Sequence, residues 1–305
     1  MSLYAMFVPN GPSGFGYRST AEEVSQGLEL SGKNVLVTGC NSGLGLETAR
    51  VLALRGARVL GTARTLEKAK QTLTDSRAVP LECELSDPRS VYACVEAVRA
   101  SGLRLDAIIA NAGIMALPEL KQAHGIELQL FTNHIGHFLL ITGLLDALSD
   151  TGRVVMVSSA AHKRAPSAGV ELDNLSGERG YQPWRAYGQS KMANLLFAKE
   201  LARRFADSGR IALALHPGVI ATNLTRNVSP LLAQAWAVAG PLALKSLGQG
   251  AATQVFAAVH PGAVGLNGAY LSDCNVAKPR ADANNADLAR RLWEASASIA
   301  AGLPR

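Results

Sequence analysis

Tyr187-Gly188-Gln189-Ser190-Lys191 sets a phenol and an amine four residues apart. On a helix that spacing puts both side chains on one face. A free tyrosine, with a pKa near about 10, is a poor base at neutral pH, but an adjacent ammonium favours the phenolate and brings it towards the range of general acid–base chemistry. Taken alone, YxxxK is common by chance and usually marks a half-buried tyrosine beside a solvated lysine. Here it falls between two short apolar runs, 153–158 and 211–215, and the first ends in the hydroxyl pair Ser158-Ser159. Farther upstream, Asn133 in Thr132-Asn-His-Ile-Gly-His137 would by itself read as a polar residue tolerated within a helix.

A second constellation points to phosphate. Thr38-Gly39-Cys40-Asn41-Ser42-Gly43-Leu44-Gly45 joins a predicted strand to a predicted helix. Glycines permit a tight turn and close backbone approach, and a helix N-terminus presents free N–H groups to a pyrophosphate. A lone glycine trio is also found in ordinary turns; the strand–turn–helix context is what makes it a dinucleotide-site candidate. The end of the next strand, Gly61-Thr62-Ala63-Arg64, has no acid to bind a ribose 2′-hydroxyl, and Arg64 suits a 2′-phosphate. NADP(H) is therefore expected over NAD(H), with Arg64 as a solvated loop residue the competing reading.

The elements that must position these groups alternate regularly. Strands are predicted at 34–38, 58–62, 79–83, 105–110, 153–158, 211–215 and 268–271, with helices from Gly43 to about Arg55, from Leu66, from Asp87-Pro88, over about 124–148 and over about 184–207. Short apolar strands separated by helices imply a parallel sheet covered on both faces. Ser19-Thr20 followed by Glu22-Glu23 starts a short helix to about Leu28 inside an N-terminal extension, residues 1–30. Residues 31–305 are expected to form one domain, with an elaboration over about 222–247.

The TGxxxGxG spacing, Asn111-Ala112-Gly113 and Pro217-Gly218 together with YxxxK resemble the short-chain dehydrogenase/reductase family in its classical form. The resemblance covers nearly the whole chain from about Leu30. It implies a single-domain Rossmann fold, an α/β, doubly wound, seven-stranded parallel sheet with helices on both faces. It also implies a catalytic tetrad of Asn133, Ser159, Tyr187 and Lys191, with Ser158 the alternative to Ser159. Tyr187 exchanges the proton, Ser159 polarises the substrate oxygen and Lys191 also grips the nicotinamide ribose. The main-chain carbonyl of Asn133 holds a water linked to that lysine. The implied cofactor site comprises Gly39, Asn41, Ser42, Gly43, Leu44, Gly45, Arg64, Glu84, Leu85, Asn111, Ala112, Gly113, Tyr187, Lys191, Pro217, Gly218, Val219 and Thr222, the last on the carboxamide. Glu84 stands where the family usually has aspartate. The reaction implied is hydride transfer between nicotinamide and a carbonyl or alcohol carbon, the hydride chemistry being the cofactor's.

Narrower strings, Asn111-Ala-Gly-Ile-Met115, Asn133-His-Ile-Gly-His-Phe138, Ser158-Ser-Ala-Ala-His162 and Tyr270-Leu-Ser-Asp-Cys274, resemble the retinol-dehydrogenase-like branch, including its soluble bacterial and WW-domain-oxidoreductase relatives. His162 belongs to that pattern but is read as a satisfied loop histidine. Residues 163–183 and 222–247 are expected to select the substrate. Leu231, Leu232, Trp236, Val238, Leu242 and Leu244 suit an apolar flap over an apolar aldehyde, ketone or alcohol, or equally a core or subunit-contact helix.

Composition narrows the partners. The net charge is +6, yet Arg203-Arg204 and Arg290-Arg291 extend into no run, so a nucleic-acid surface is not expected. Cys40, Cys83, Cys94 and Cys274 lack CxxC spacing and read as reduced thiols, and no metal site is expected. The N-terminus carries no signal-peptide pattern, and the apolar run 231–244, broken at Gly240-Pro241, falls short of the about 20 residues that span a bilayer. A soluble, cytoplasmic protein is expected, with a homodimer or homotetramer open. Two other functions remain: a catalytically silent nicotinamide-binding regulator, disfavoured by the intact tetrad, and an extended-type epimerase or dehydratase, disfavoured by the glycine spacing.

Overall fold

The computed structural model describes residues 8–220 and 244–305. Strands β1 (Asn34–Val37), β2 (Arg58–Ala63), β3 (Val79–Glu82), β4 (Leu105–Ala110), β5 (Leu148–Val157), β6 (Ile211–His216), β7 (Tyr270–Ser272) and β8 (Asn275–Val276) form one sheet in the order β8-β7-β6-β5-β4-β1-β2-β3. All neighbours run parallel except β7 and β8. The expectation of seven parallel strands is corrected here: among the described residues the sheet has eight, and the last is antiparallel. Asp273 and Cys274 both adopt positive φ, 53° and 62°, the two-residue turn that folds β8 back on β7. Neither residue is the glycine that ordinarily signals such a turn.

The central strands read as continuous apolar runs because they are buried on both faces. Alternation splits each between two cores. Val35, Val37, Ala107, Ile109, Val155 and Val157 face one side. Leu36, Leu105, Ile108, Ala110, Val154 and Met156 face the other.

On the first side pack helices α1 (Ala21–Val24) and α2 (Gly43–Leu54) and a later one over Leu247–Val259. Helix α1 has the expected capping box between Thr20 and Glu23. It stops at Val24, short of Leu28, where Ser25 turns its hydroxyl back on the Ala21 carbonyl and Gly27 enters the left-handed region. Helices α3 (Leu66–Thr72) and α4 (Pro88–Ala100) follow, the second capped by Asp87 with proline in its first turn.

The expected helix over 124–148 is shorter and interrupted. His124 and Gly125, both at positive φ, close a small hairpin, and the Glu127 carboxylate then accepts from the Gln129 and Leu130 N–H groups. The helix that starts there consists of α5 (Leu128–Leu130), a π-helical turn (Phe131–Ile135) and α6 (Gly136–Gly143), and β5 already begins at Leu148. Helix α7 (Pro183–Arg204) carries the YxxxK motif. Two further helices, α8 (Leu247–Val259) and α9 (Ala286–Ala301), begin at side-chain caps on Ser246 and Asn285. The N-terminal extension is tied to this body: Asn275 donates to the Phe15 carbonyl, Gln249 to that of Arg18, and the Phe15 ring packs edge-on against Phe256.

Candidate active site

The chain runs outward from β1 to β3 and then returns to β4 on the other side of β1. Such a reversal opens a crevice beyond the strands' carboxyl ends. A cleft of about 990 Å³ lies there.

Its floor is the glycine turn. Gly39, Asn41, Ser42, Gly43 and Leu44 line it, whereas Gly45 does not. Gly45 lies behind the turn, where a Cβ would stand 2.2 Å from the Gly39 carbonyl oxygen; it makes the cradle possible rather than touching its occupant. The N-cap Ser42 makes no side-chain bond to the first turn of α2, which leaves that turn's N–H groups available to an anion. Thr38 Oγ1 accepts from the main-chain N–H groups of Asn111 and Ala112, both at 2.9 Å, and Asn111 Nδ2 donates to the Thr38 carbonyl at 2.8 Å. The turn and the Asn111-Ala112-Gly113 segment are thus one rigid surface. An uncapped helix start, a cradle without side chains and exposed Arg64 at the rim, with no acid within ion-pair distance among the described residues, fit a dinucleotide bearing an extra phosphate. Glu84 and Leu85 line the same end. One Glu84 carboxylate oxygen is engaged by the Ser86 N–H and hydroxyl. Pro217, Gly218 and Val219 line the opposite end, and Thr222 lies outside the described residues.

Ser159, Tyr187 and Lys191 meet in the middle of the cleft. Tyr187 and Ser159 line it side by side, and the serine pulls the phenol's pKa downward. The Ser159 hydroxyl accepts the Ala161 N–H at 3.1 Å, which fixes it at the start of a short turn of 3-10 helix. Ser158 is disposed otherwise: its hydroxyl donates to the Lys191 carbonyl at 2.7 Å and is buried in the frame. Lys191 lies one turn beyond Tyr187, its ammonium 5.8 Å from the phenol ring centre and donating to the Val157 carbonyl at 2.9 Å. Asn133 does not line the cleft. It stands behind Gly113, bonded to the N–H and carbonyl of Ile114 and to the Ser190 hydroxyl.

Burial dominates the electrostatics. It pushes the Tyr187 phenol up to about 12, against a smaller downward pull from Ser159. Lys191 does not lower the phenol in the chain alone: its ammonium donates to the Val157 carbonyl, and burial itself depresses Lys191 to about 8, while the positive nicotinamide, the other expected source of lowering, belongs to the bound complex. At that value the phenol keeps its proton at neutral pH.

Several residues here escaped sequence reasoning. His216, which lines the cleft, accepts the Ala160 N–H at 3.2 Å, and burial pushes its pKa down to about 4. Trp184, one turn before Tyr187, packs edge-on to it at 6.1 Å, with Arg164 over its own ring at 5.2 Å. Gly136 admits α6 so close to Leu85 that a Cβ would stand 2.3 Å from its carbonyl oxygen. His162 is satisfied, as read: Nδ1 donates to the Ser159 carbonyl at 2.6 Å and Nε2 accepts the Arg280 N–H at 3.1 Å.

A family model described as short chain dehydrogenase matches residues 33–232. The chain is 40% identical over 286 residues to "Retinol dehydrogenase 11" of Homo sapiens, covering 91% of this chain and 88% of that one. It is 38% identical over 321 residues to "Short-chain dehydrogenase TIC 32 B, chloroplastic" of Brassica napus, covering the whole of both. A short chain dehydrogenase from Burkholderia cenocepacia, solved in complex with NADP, shares the fold with a TM-score of 0.64 at 23% identity, covering 80% of this chain and 96% of that one.

Proposed function

We propose that this chain, which belongs to the short-chain dehydrogenase/reductase family in its classical, retinol-dehydrogenase-like form, works with NADP(H) on an apolar aldehyde, ketone or alcohol, with Tyr187 as the proton donor and acceptor. As a member of that family it is an NAD(P)-dependent oxidoreductase acting on CH–OH groups. The observation that carries the finer reading is that Ser159, Tyr187 and Lys191 line one cleft, Lys191 one turn beyond Tyr187 and the glycine cradle as floor.

When bound, the cofactor supplies or takes up hydride at the substrate carbon. The chain's residues do the rest. Ser159 donates to the substrate oxygen and holds it beside Tyr187. The buried phenol keeps its proton at neutral pH, so Tyr187 Oη is equipped to donate to an oxygen that gains charge during reduction. Lys191, one turn beyond the phenol, would hold the ribose hydroxyls. Arg64 would hold the 2′-phosphate. Residues 31–305 act as one catalytic unit, Phe15 and Arg18 of the extension brace α8, and substrate choice depends on residues 163–183 and 222–247.

The deciding experiment measures NADPH oxidation with a panel of aliphatic and aromatic aldehydes and ketones, beside Tyr187→Phe and a parallel NADH titration. Turnover by the parent, lowered about 10²–10⁴-fold in the variant, is expected. Equal rates in the two would remove the proton-transfer role, and a preference for NADH would remove Arg64 from the phosphate. NADPH binding with no turnover of any carbonyl would favour the silent regulator.

A further inference from the structure

His137 is fully buried and has no part in the chemistry above. Each ring nitrogen meets one partner. Nδ1 lies 2.9 Å from the main-chain carbonyl oxygen of Asn133, and Nε2 lies 2.9 Å from Thr38 Oγ1. A carbonyl only accepts, so Nδ1 carries the hydrogen. Proton counting at the other end agrees. Thr38 Oγ1 accepts two N–H groups, from Asn111 and Ala112, which uses both lone pairs, so its own hydrogen must be donated. The Ile109 carbonyl, 3.5 Å away, already accepts the Thr38 N–H at 3.0 Å, which leaves Nε2 as the acceptor in good range.

We propose that His137 is a positioning residue, locked as the neutral Nδ1–H tautomer, which ties the Asn133 carbonyl to Thr38 so that the glycine turn and the helix facing Lys191 hold one geometry. The chain of contacts is continuous: Thr38 orders the Asn111-Ala112 backbone on one side of the imidazole, and on the other Asn133 reaches Ser190, the neighbour of Lys191. The charged groups around the ring agree with neutrality. Burial pushes the imidazole down to about 4 against an upward pull from the bond to the Asn133 carbonyl, and the nearby Lys191 works with burial. A protonated ring would also turn a second donor on the Thr38 hydroxyl, displacing the bond it gives. A hydrophobic ring would fill the space but leave the Asn133 carbonyl unaimed, whereas glutamine carries one donor and one acceptor and can bridge the same two partners.

The kinetic part of the test rests on the proposed carbonyl chemistry; the spectroscopic part does not. Nitrogen-15 histidine spectra of the full chain, with the His137 signal identified by its loss in His137→Gln, should show Nδ1 protonated and Nε2 bare from roughly pH 6 to pH 9. With NADPH and benzaldehyde, His137→Phe should lower kcat about tenfold and displace the pH–rate profile, because small errors in placement are costly in catalysis. His137→Gln should recover most of the rate and the parent profile. A merely structural role would lower the thermal midpoint of the variants without moving the profile. An Nε2–H tautomer, titration of the ring within that range, or a folded His137→Phe with the parent profile would overturn the proposal. Failure of the parent to reduce benzaldehyde or any other carbonyl would sink the functional reading instead, and the tautomer would still decide the role of His137.

Discussion

The ammonium of Lys191 donates to the carbonyl of Val157 at 2.9 Å, and the side-chain amide of Asn194, almost one turn on, reaches the same oxygen at 3.3 Å. The end of β5 and the middle of α7 are thereby pinned together where Ser159 leaves the sheet. Lys191 is buried beside this carbonyl with no carboxylate partner among the described residues, and burial holds its pKa at about 8 instead of 10.5. The folded chain thus bears a charge that it would hold more readily unfolded.

That cost should be measurable. Between the folded and unfolded values the unfolded chain binds more protons, so this group's contribution to stability rises as pH climbs from about 8 to 10.5. Below that window the cost is present in full, about 3 kcal/mol as an upper bound. Lys191→Met should therefore abolish turnover while raising the free energy of unfolding by about 1–3 kcal/mol at pH 7, with a smaller gain near pH 10.5. Urea unfolding at both pH values checks it. A variant less stable than the parent at pH 7 would mean that the bond to Val157 outweighs the desolvation.

The two adjacent serines should separate cleanly. Ser158 holds the Lys191 carbonyl, so Ser158→Ala should cost about 1 kcal/mol of stability and leave kcat within a few-fold of the parent. Ser159 faces Tyr187 in the cleft, so Ser159→Ala should lower kcat by about 10²-fold with little change in the thermal midpoint. A reversed pattern of rate and stability would exchange their roles.

Gly136 should be intolerant despite its helical position. In an open helix glycine to alanine stabilises by about 1 kcal/mol. Here the added carbon would stand 2.3 Å from the Leu85 carbonyl oxygen and 2.9 Å from Leu85 Cβ, so backbone must move. Gly136→Ala should destabilise by about 1–3 kcal/mol and weaken NADPH binding, because the displaced segment carries Glu84 and Leu85 at the cleft's edge. Thermal denaturation and fluorescence titration with NADPH check it, and a stabilised variant with unchanged affinity would show that the helix has room to shift.

The sheet was legible because period-two burial on both faces leaves unbroken apolar strands, and the glycine turn because its spacing is set by backbone approach. Tyr187 and Lys191 were legible through helical geometry. The rest depended on contacts between distant segments. The turn through Asp273-Cys274 carries no glycine, so β8 left no local signal. Helices α8 and α9 are capped by Ser246 and Asn285, residues equally at home in loops. The breaks near His124 and the π-helical turn interrupt a run whose apolar pattern reads as one helix. The phenol's titration depends on where the lysine's ammonium turns, which spacing alone cannot fix. His137 looked like one more residue of a family string, since the atoms that give it a role lie on β1 and at Asn133.

Trp184 offers a way to probe the substrate side without touching the tetrad. Its indole stands edge-on to Tyr187 with the rings 80° apart, and Arg164 covers it at 5.2 Å, so it is held as a wall of the cleft rather than a loose side chain. An apolar substrate whose oxygen lies between Ser159 and Tyr187 would rest its body against that wall. Loss of such an aromatic surface is worth about 1.5–3 kcal/mol of burial, and each 1.4 kcal/mol is about tenfold in affinity. Trp184→Ala should then raise KM for benzaldehyde about tenfold or more, leave KM for acetaldehyde nearly unchanged, and keep both kcat and NADPH affinity within a few-fold. If kcat instead fell equally for both aldehydes while KM held, the indole would be bracing the Tyr187 ring, and the apolar substrate surface would have to be sought elsewhere.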